Sequence, residues 1–283
     1  MFERFSRSWA LIRASAAVLR QDTELLALPA VSGLATLLVA LSFAAPFVLW
    51  AAGHPQAMEQ GEIPPLWLLW GFLFYLVQYF VIFYFNTALV GAASIRLDGG
   101  DPTVRDGLRM ANSRLSVIFG YAMVAATVGL LLRAIEERAG AVGKWVVGLL
   151  GVAWTVASFL VVPVLVHRDV GPLEALKESA ALLKQTWGEN LIGQGGVGIV
   201  FGLMQLLLWL VVLVPAFAAL FGQQTALFFA LVFLGVIASL LLGLVQAALS
   251  AIYSAALYRH ASGLAVGPEF PSALLAGAFA PKR

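Results

Sequence analysis

The sequence predicts an all-α integral membrane protein with six transmembrane helices, built as three repeats of a cytoplasmic amphipathic helix followed by a two-span hairpin. Three observations carry this reading. The 283 residues are 61% hydrophobic and only 11% charged, against about 25% charged in ordinary soluble domains, too few charges for a water-facing surface of this size. Those charges fall in short segments between long apolar runs. Finally, one nine-residue phrase is written twice, as RASAAVLRQ at 13–21 and KESAALLKQ at 177–185.

The apolar runs cover 25–52, 63–95, 115–132, 145–166, 191–221 and 225–257. Crossing a hydrocarbon core takes about 20 helical residues, with a range near 17 to 25, so each run qualifies. The longer ones are expected to tilt or kink, with Pro29, Pro46 and Pro215 as the kink points. The first run is too long for a signal-peptide core and is expected to be a retained span. Taken alternately, the segments outside the runs hold 14 Lys and Arg against 3. The positive-inside rule then places both termini in the cytoplasm of a prokaryotic cell, with turns at 53–62, 133–144 and 222–224 on the other side. The whole chain reads as a single membrane domain, in units of about 1–95, 96–166 and 167–257, with a cytoplasmic tail at 258–283.

The repeated phrase fits a helix that lies at the inner surface. Trp9, Ile12, Ala16 and Leu19 form an apolar stripe at spacings of three and four, and Leu173, Leu176, Ala180 and Leu183 repeat it 164 positions on. Arg13 and Arg20 then match Lys177 and Lys184, cations that flank the stripe and reach headgroups or water on long apolar stems. A weaker third copy starts at Asp101-Pro102-Thr103, a helix-start signal, with a stripe of Val104, Leu108, Ala111 and Leu115.

Composition excludes several chemistries. There is no Cys, hence no disulfide, thiol nucleophile or thiolate metal site. The basic residues flank membrane runs instead of forming a patch on a soluble face, so nucleic acid is not an expected partner. No Asp, Glu, Lys, Arg or His lies well inside any run, whereas proton-coupled transporters and voltage sensors use such groups at depth. GQGGVG at 193–198 follows no strand and opens an apolar run, so it is not a dinucleotide fingerprint. No cofactor, metal or catalytic residue is assigned.

The groups that remain are neutral. Tyr79, Asn86, Gln205 and Gln246 are the candidates for a polar pathway or lipid contact, with interhelical hydrogen bonding as the plainer role. Arg13, Arg20, Lys177, Lys184 and Glu189 are the candidate inner-surface contacts. The sixth run carries a small-residue ladder of Gly235, Ser239, Gly243, Ala247, Ala251 and Ala255, suited to close helix approach inside one protomer or between copies. Glu136 and Glu137, with Arg133 and Arg138, are expected to form an ion-pair network at the second turn.

FERFSRSW at 2–9, FYFNTAL at 83–89, GGDPTVRDGL at 99–108, ATVGLLLRAIEER at 126–138, GVAWTVASFLVVPV at 151–164 and TWGE at 186–189 together resemble an uncharacterised family of prokaryotic multi-span membrane proteins, a domain of unknown function. The resemblance implies six spans and the cytoplasmic membrane, but no substrate. The layout is also similar, distantly, to the membrane domain of bacterial glycerophosphodiester phosphodiesterases, whose catalytic domain this chain lacks.

The expected function is non-enzymatic: a module that associates with membrane lipids or partner proteins, a homo-oligomer being one form. The alternative is a channel or uncoupled transporter with a neutral pathway. A third reading, an enzyme acting on lipid at the inner surface, requires His167, Arg168, Asp169 or Glu189 to converge on one cavity.

Overall fold

The computed structural model describes residues 2–60, 64–187 and 196–270, and among them every regular element is helical. The elements are α1 (Phe2–Gln21), a 3-10 turn (Thr23–Leu26), α2 (Ala27–Gly53), α3 (Pro55–Gln60), α4 (Pro65–Leu97), α5 (Val104–Ser113), α6 (Leu115–Arg138), α7 (Ala141–Ser158), α8 (Val161–His167), α9 (Pro172–Trp187), α10 (Gly196–Phe221) and α11 (Thr225–Ala261). Six of the helical stretches are long and apolar enough to cross a membrane: 23–53, 65–97, 115–138, 142–167, 200–221 and 225–261. This is a multi-pass membrane protein. We call the side that carries α1, α5, α9 and the C-terminal segment the terminal face, and the opposite side the turn face.

One expected feature moves. The second turn shrinks from 133–144 to the pair Ala139-Gly140, because α6 runs on to Arg138 and α7 starts at Ala141. Pro29 and Pro46 lie inside an unbroken α2, Pro29 in its first turn where a missing N–H costs nothing, and Pro215 lies inside α10. One span is interrupted, between α7 and α8, at Phe159-Leu160. Pro163 causes it: the ring has no N–H to donate and crowds the carbonyl four residues back, that of Phe159. The freed backbone N–H of Leu160 donates to Ser179 Oγ on α9 at 3.0 Å, so that amide is not left bare in the apolar layer.

The core lies in the terminal half of the spans. It joins Val18 of α1, Leu28 of α2, Ala88 and Val90 of α4, Ile118 and Tyr121 of α6, Leu160 and Leu165 of the α7–α8 span, Leu183 of α9, and Ile252 and Leu257 of α11. At its centre α4, α8 and α11, the second spans of the three hairpins, pack against one another. Around them each short helix rests on a second span: α5 on α4, α9 on α7 and α8, and α1 on α11. Glycine permits the closest of these contacts. A Cβ on Gly107 of α5 would stand 2.6 Å from the carbonyl oxygen of Ala88 on α4. The α5 N-terminus is fixed by a capping box: Thr103 Oγ1 accepts from the Asp106 N–H, and Asp106 Oδ2 accepts from the Thr103 N–H.

Candidate functional site

The terminal face is held by a polar network that follows from where each helix ends. Arg259, in the last turn of α11, is buried, and its guanidinium forks onto both oxygens of Asp98, the residue that ends α4. Its Nε donates to the Ala265 carbonyl at 2.8 Å, which ties down the segment after α11 and brings Phe270 into the core. A second knot joins α1 to the same place. Gln21 donates to Glu269 at 2.9 Å and accepts from Arg96, which also reaches Asp101 and the Gly100 carbonyl. Asp22 lies beside this knot with Oδ2 buried and without a hydrogen bond. Burial pushes its carboxyl above the usual carboxylate range, opposed by the charge of Arg96.

The cations at the surface take up the register of the repeat. Arg13, Arg20, Lys177 and Lys184 are all exposed, and none has a carboxylate within salt-bridge distance among the described residues. Arg13 lies over the Trp9 ring, 5.4 Å from its centroid, within cation–π range. The buried line of each helix follows the expected stripe in part: Ile12 and Leu19 of α1 and Leu183 of α9 are buried as expected. Trp9 and Leu173, both in that stripe, are exposed, whereas Leu11, Ser15 and Leu19 are buried on α1 and Ala175, Ser179 and Leu183 on α9, again 164 positions apart. Ser179 accepts the Leu160 N–H; Ser15 Oγ, at the matching place, has no hydrogen bond. Glu189 lies outside the described residues.

The four neutral candidates do not gather into one site. Gln205 on α10 donates to Ser239 on α11 at 2.6 Å, an interhelical tie beside the close approach of Gly235 to Val212. Tyr79 packs over Gly129 of α6, where a Cβ would stand 3.3 Å from its hydroxyl, and stacks with Tyr75 and Phe83. Asn86 and Gln246 are half-buried just turnward of the core, and no hydrogen bond joins them to each other. The small-residue ladder also divides. Gly235 and Ser239 meet α10, Ala251 and Ala255 lie in the core, and Gly243 and Ala247 face outward.

His167, Arg168 and Asp169 point to three different elements. The His167 ring stacks on Tyr258 and its Nδ1 meets the Pro163 carbonyl at 2.9 Å; Arg168 pairs with Glu178; Asp169 pairs with Arg114. Arg133 donates to Glu137 and to Tyr75 of α4; of the four residues expected to form an ion-pair network at the second turn, only Arg133 and Glu137 pair among the described residues. Among the described residues no group of three or more His, Cys, Asp or Glu is placed to hold a metal.

A family profile matches residues 66–267, from the start of α4 to the segment that Arg259 ties down. The chain belongs to a family of unknown function, DUF6159. No curated protein matches it. The match takes in the second to sixth spans and both partners of the Asp98–Arg259 pair.

Residue patterns gave no notice of that ion pair, whose partners stand 161 positions apart. Ser179 did have a signal, since the shared Ser of RASAA and KESAA is, among the described residues, the one polar residue both helices bury.

Proposed function

We propose that this protein is a non-enzymatic membrane module that gathers anionic lipid at its terminal face, in a prokaryotic cytoplasmic membrane with that face towards the cytoplasm. One observation supports this above the others. Arg13 and Arg20 on α1, and Lys177 and Lys184 on α9, are exposed and without a carboxylate partner among the described residues, on helices whose opposite sides are buried in the core. A cation near an anionic lipid surface is worth about 1 kcal/mol, so four would contribute roughly 4 kcal/mol and distinguish anionic from zwitterionic lipid. The excess of Lys and Arg on alternate segments supports the orientation.

The test is native mass spectrometry of the full chain released from gentle detergent. The wild type is expected to retain phosphatidylglycerol or cardiolipin, and the combined variant Arg13→Gln, Arg20→Gln, Lys177→Gln, Lys184→Gln to lose it. Equal retention by both proteins sinks the reading. A defined oligomer free of lipid would support a partner-binding role instead, with the outward-facing Gly243 and Ala247 as the seam.

A neutral conduction path is the second reading. Asn86 and Gln246, half-buried beside the core, favour it; Gln205 and Tyr79 are engaged in helix packing. It requires Asn86→Leu to abolish flux in liposomes while the protein stays folded.

A further inference from the structure

We propose that the turn-face end of α7 is a groove for an anionic phospholipid, with the headgroup phosphate on Lys144 and one acyl chain along Trp145, Gly148, Leu149 and Val152. This goes beyond the terminal-face reading: it concerns the opposite leaflet and different residues.

The five side chains line an apolar depression of about 410 Å³. Gly148 makes it. Nothing stands within 4 Å of the place where a Cβ would be, so the helix surface is notched between Trp145, Leu149 and Val152, all largely exposed. Positions 144, 148 and 152 share one helix face. Lys144 to Val152 is eight residues, roughly 12 Å along the axis. Half of a hydrocarbon core is about 15 Å thick. The groove thus has the depth of one leaflet and starts at headgroup level.

Charge identifies the occupant. Lys144 is exposed in the first turn of α7, and no carboxylate pairs with it among the described residues. A cation there sits at the positive end of the helix dipole, an unfavourable place that an added anion relieves. Trp145 beside it is of the type that settles at headgroup level. All five lining residues belong to α7, so this depression is a feature of one helix surface.

The experiment uses the full chain in vesicles of equal parts phosphatidylcholine and phosphatidylglycerol, with bromine on one lipid at a time. The share of quenching due to Trp145 is the difference between wild type and Trp145→Phe. Brominated phosphatidylglycerol is expected to quench Trp145 with about fivefold preference, the effect of one lysine facing an anionic lipid. The preference should fall to near one in Lys144→Gln, and in Gly148→Leu, which fills the notch. Equal quenching by both lipids in wild type overturns the proposal, leaving lipid as bulk solvent only. A Trp145 that neither lipid quenches also overturns it, in favour of cover by another protein surface. Lipid retention through α1 and α9, measured on Lys144→Gln, separates the two proposals: retention there, together with no Trp145 preference in the wild type, defeats the groove alone.

Discussion

The two halves of the spans are built from different residues. In the terminal half the buried positions mix large apolar side chains, such as Ile118, Leu160, Leu165 and Leu257, with many small or polar ones: Ala88, Ala92, Ala93, Ala111, Ser15, Ser179, Ala251, Ala255, with Arg259 among them. In the turn half the spans present Leu37, Leu41, Leu207, Val211, Phe229 and Phe233 outward. In the most apolar stretch of the first span none of the residues is buried, against 39% in the α7–α8 span. In water the apolar side goes inside. Here lipid is as apolar as leucine, so close approach and satisfied polar groups decide what is buried.

The largest effect expected from breaking this comparison is at Ile118, fully buried in the core. Ile118→Ala should lower stability by roughly 2–4 kcal/mol through the cavity it leaves. Leu207→Ala, on the exposed side of α10, should change it by less than about 0.5 kcal/mol. Unfolding midpoints in mixed detergent would measure both; equal losses would mean that the turn halves are covered by protein.

A smaller effect separates the two copies of the repeated phrase. Ser179→Ala strands the Leu160 N–H and should cost about 1–2 kcal/mol. Ser15→Ala removes a hydroxyl that has no hydrogen bond, and should be neutral or slightly stabilising. The same titration decides, and a larger loss at Ser15 would reverse the assignment.

The smallest effects are on pH, and they have opposite signs. The Asp22 carboxyl is raised by burial, so the folded state favours its neutral form; stability should fall as pH rises from about 3.9, the unfolded value, through the raised native one. The Asp106 carboxylate is held low by the Thr103 hydroxyl and N–H, so its contribution is present above about 3.9 and lost as pH falls through the lowered native value. Midpoint-versus-pH curves should lose the upper decline in Asp22→Asn and the acid loss in Asp106→Asn, and unchanged curves would refute both assignments.

The spans were legible because a membrane imposes length and apolarity on contiguous sequence, and the start of α5 because a cap is local. The shortening of the second turn was not, since Arg133 to Arg138 continue a helix whose charges lie beyond the apolar layer. Pro163 was passed over for prolines nearer the middle of longer runs, although its effect falls four residues earlier, at Phe159. The expected stripes followed large side chains and missed small buried ones, as at Ser15 and Ala175. Asp98–Arg259 joins two spans distant in sequence, a pairing that periodicity cannot reach. The Lys144 groove depends on an empty space beside Gly148, which only coordinates reveal.

The seating of α1 on α11 also orders events in time. α1 rests on a span that is made after five others. During synthesis α1 must wait at the membrane surface while five spans insert, its eventual seat not yet in existence. The seat is complete only when α11 arrives, so a nascent protein that stops short of α11 leaves α1 without its main support.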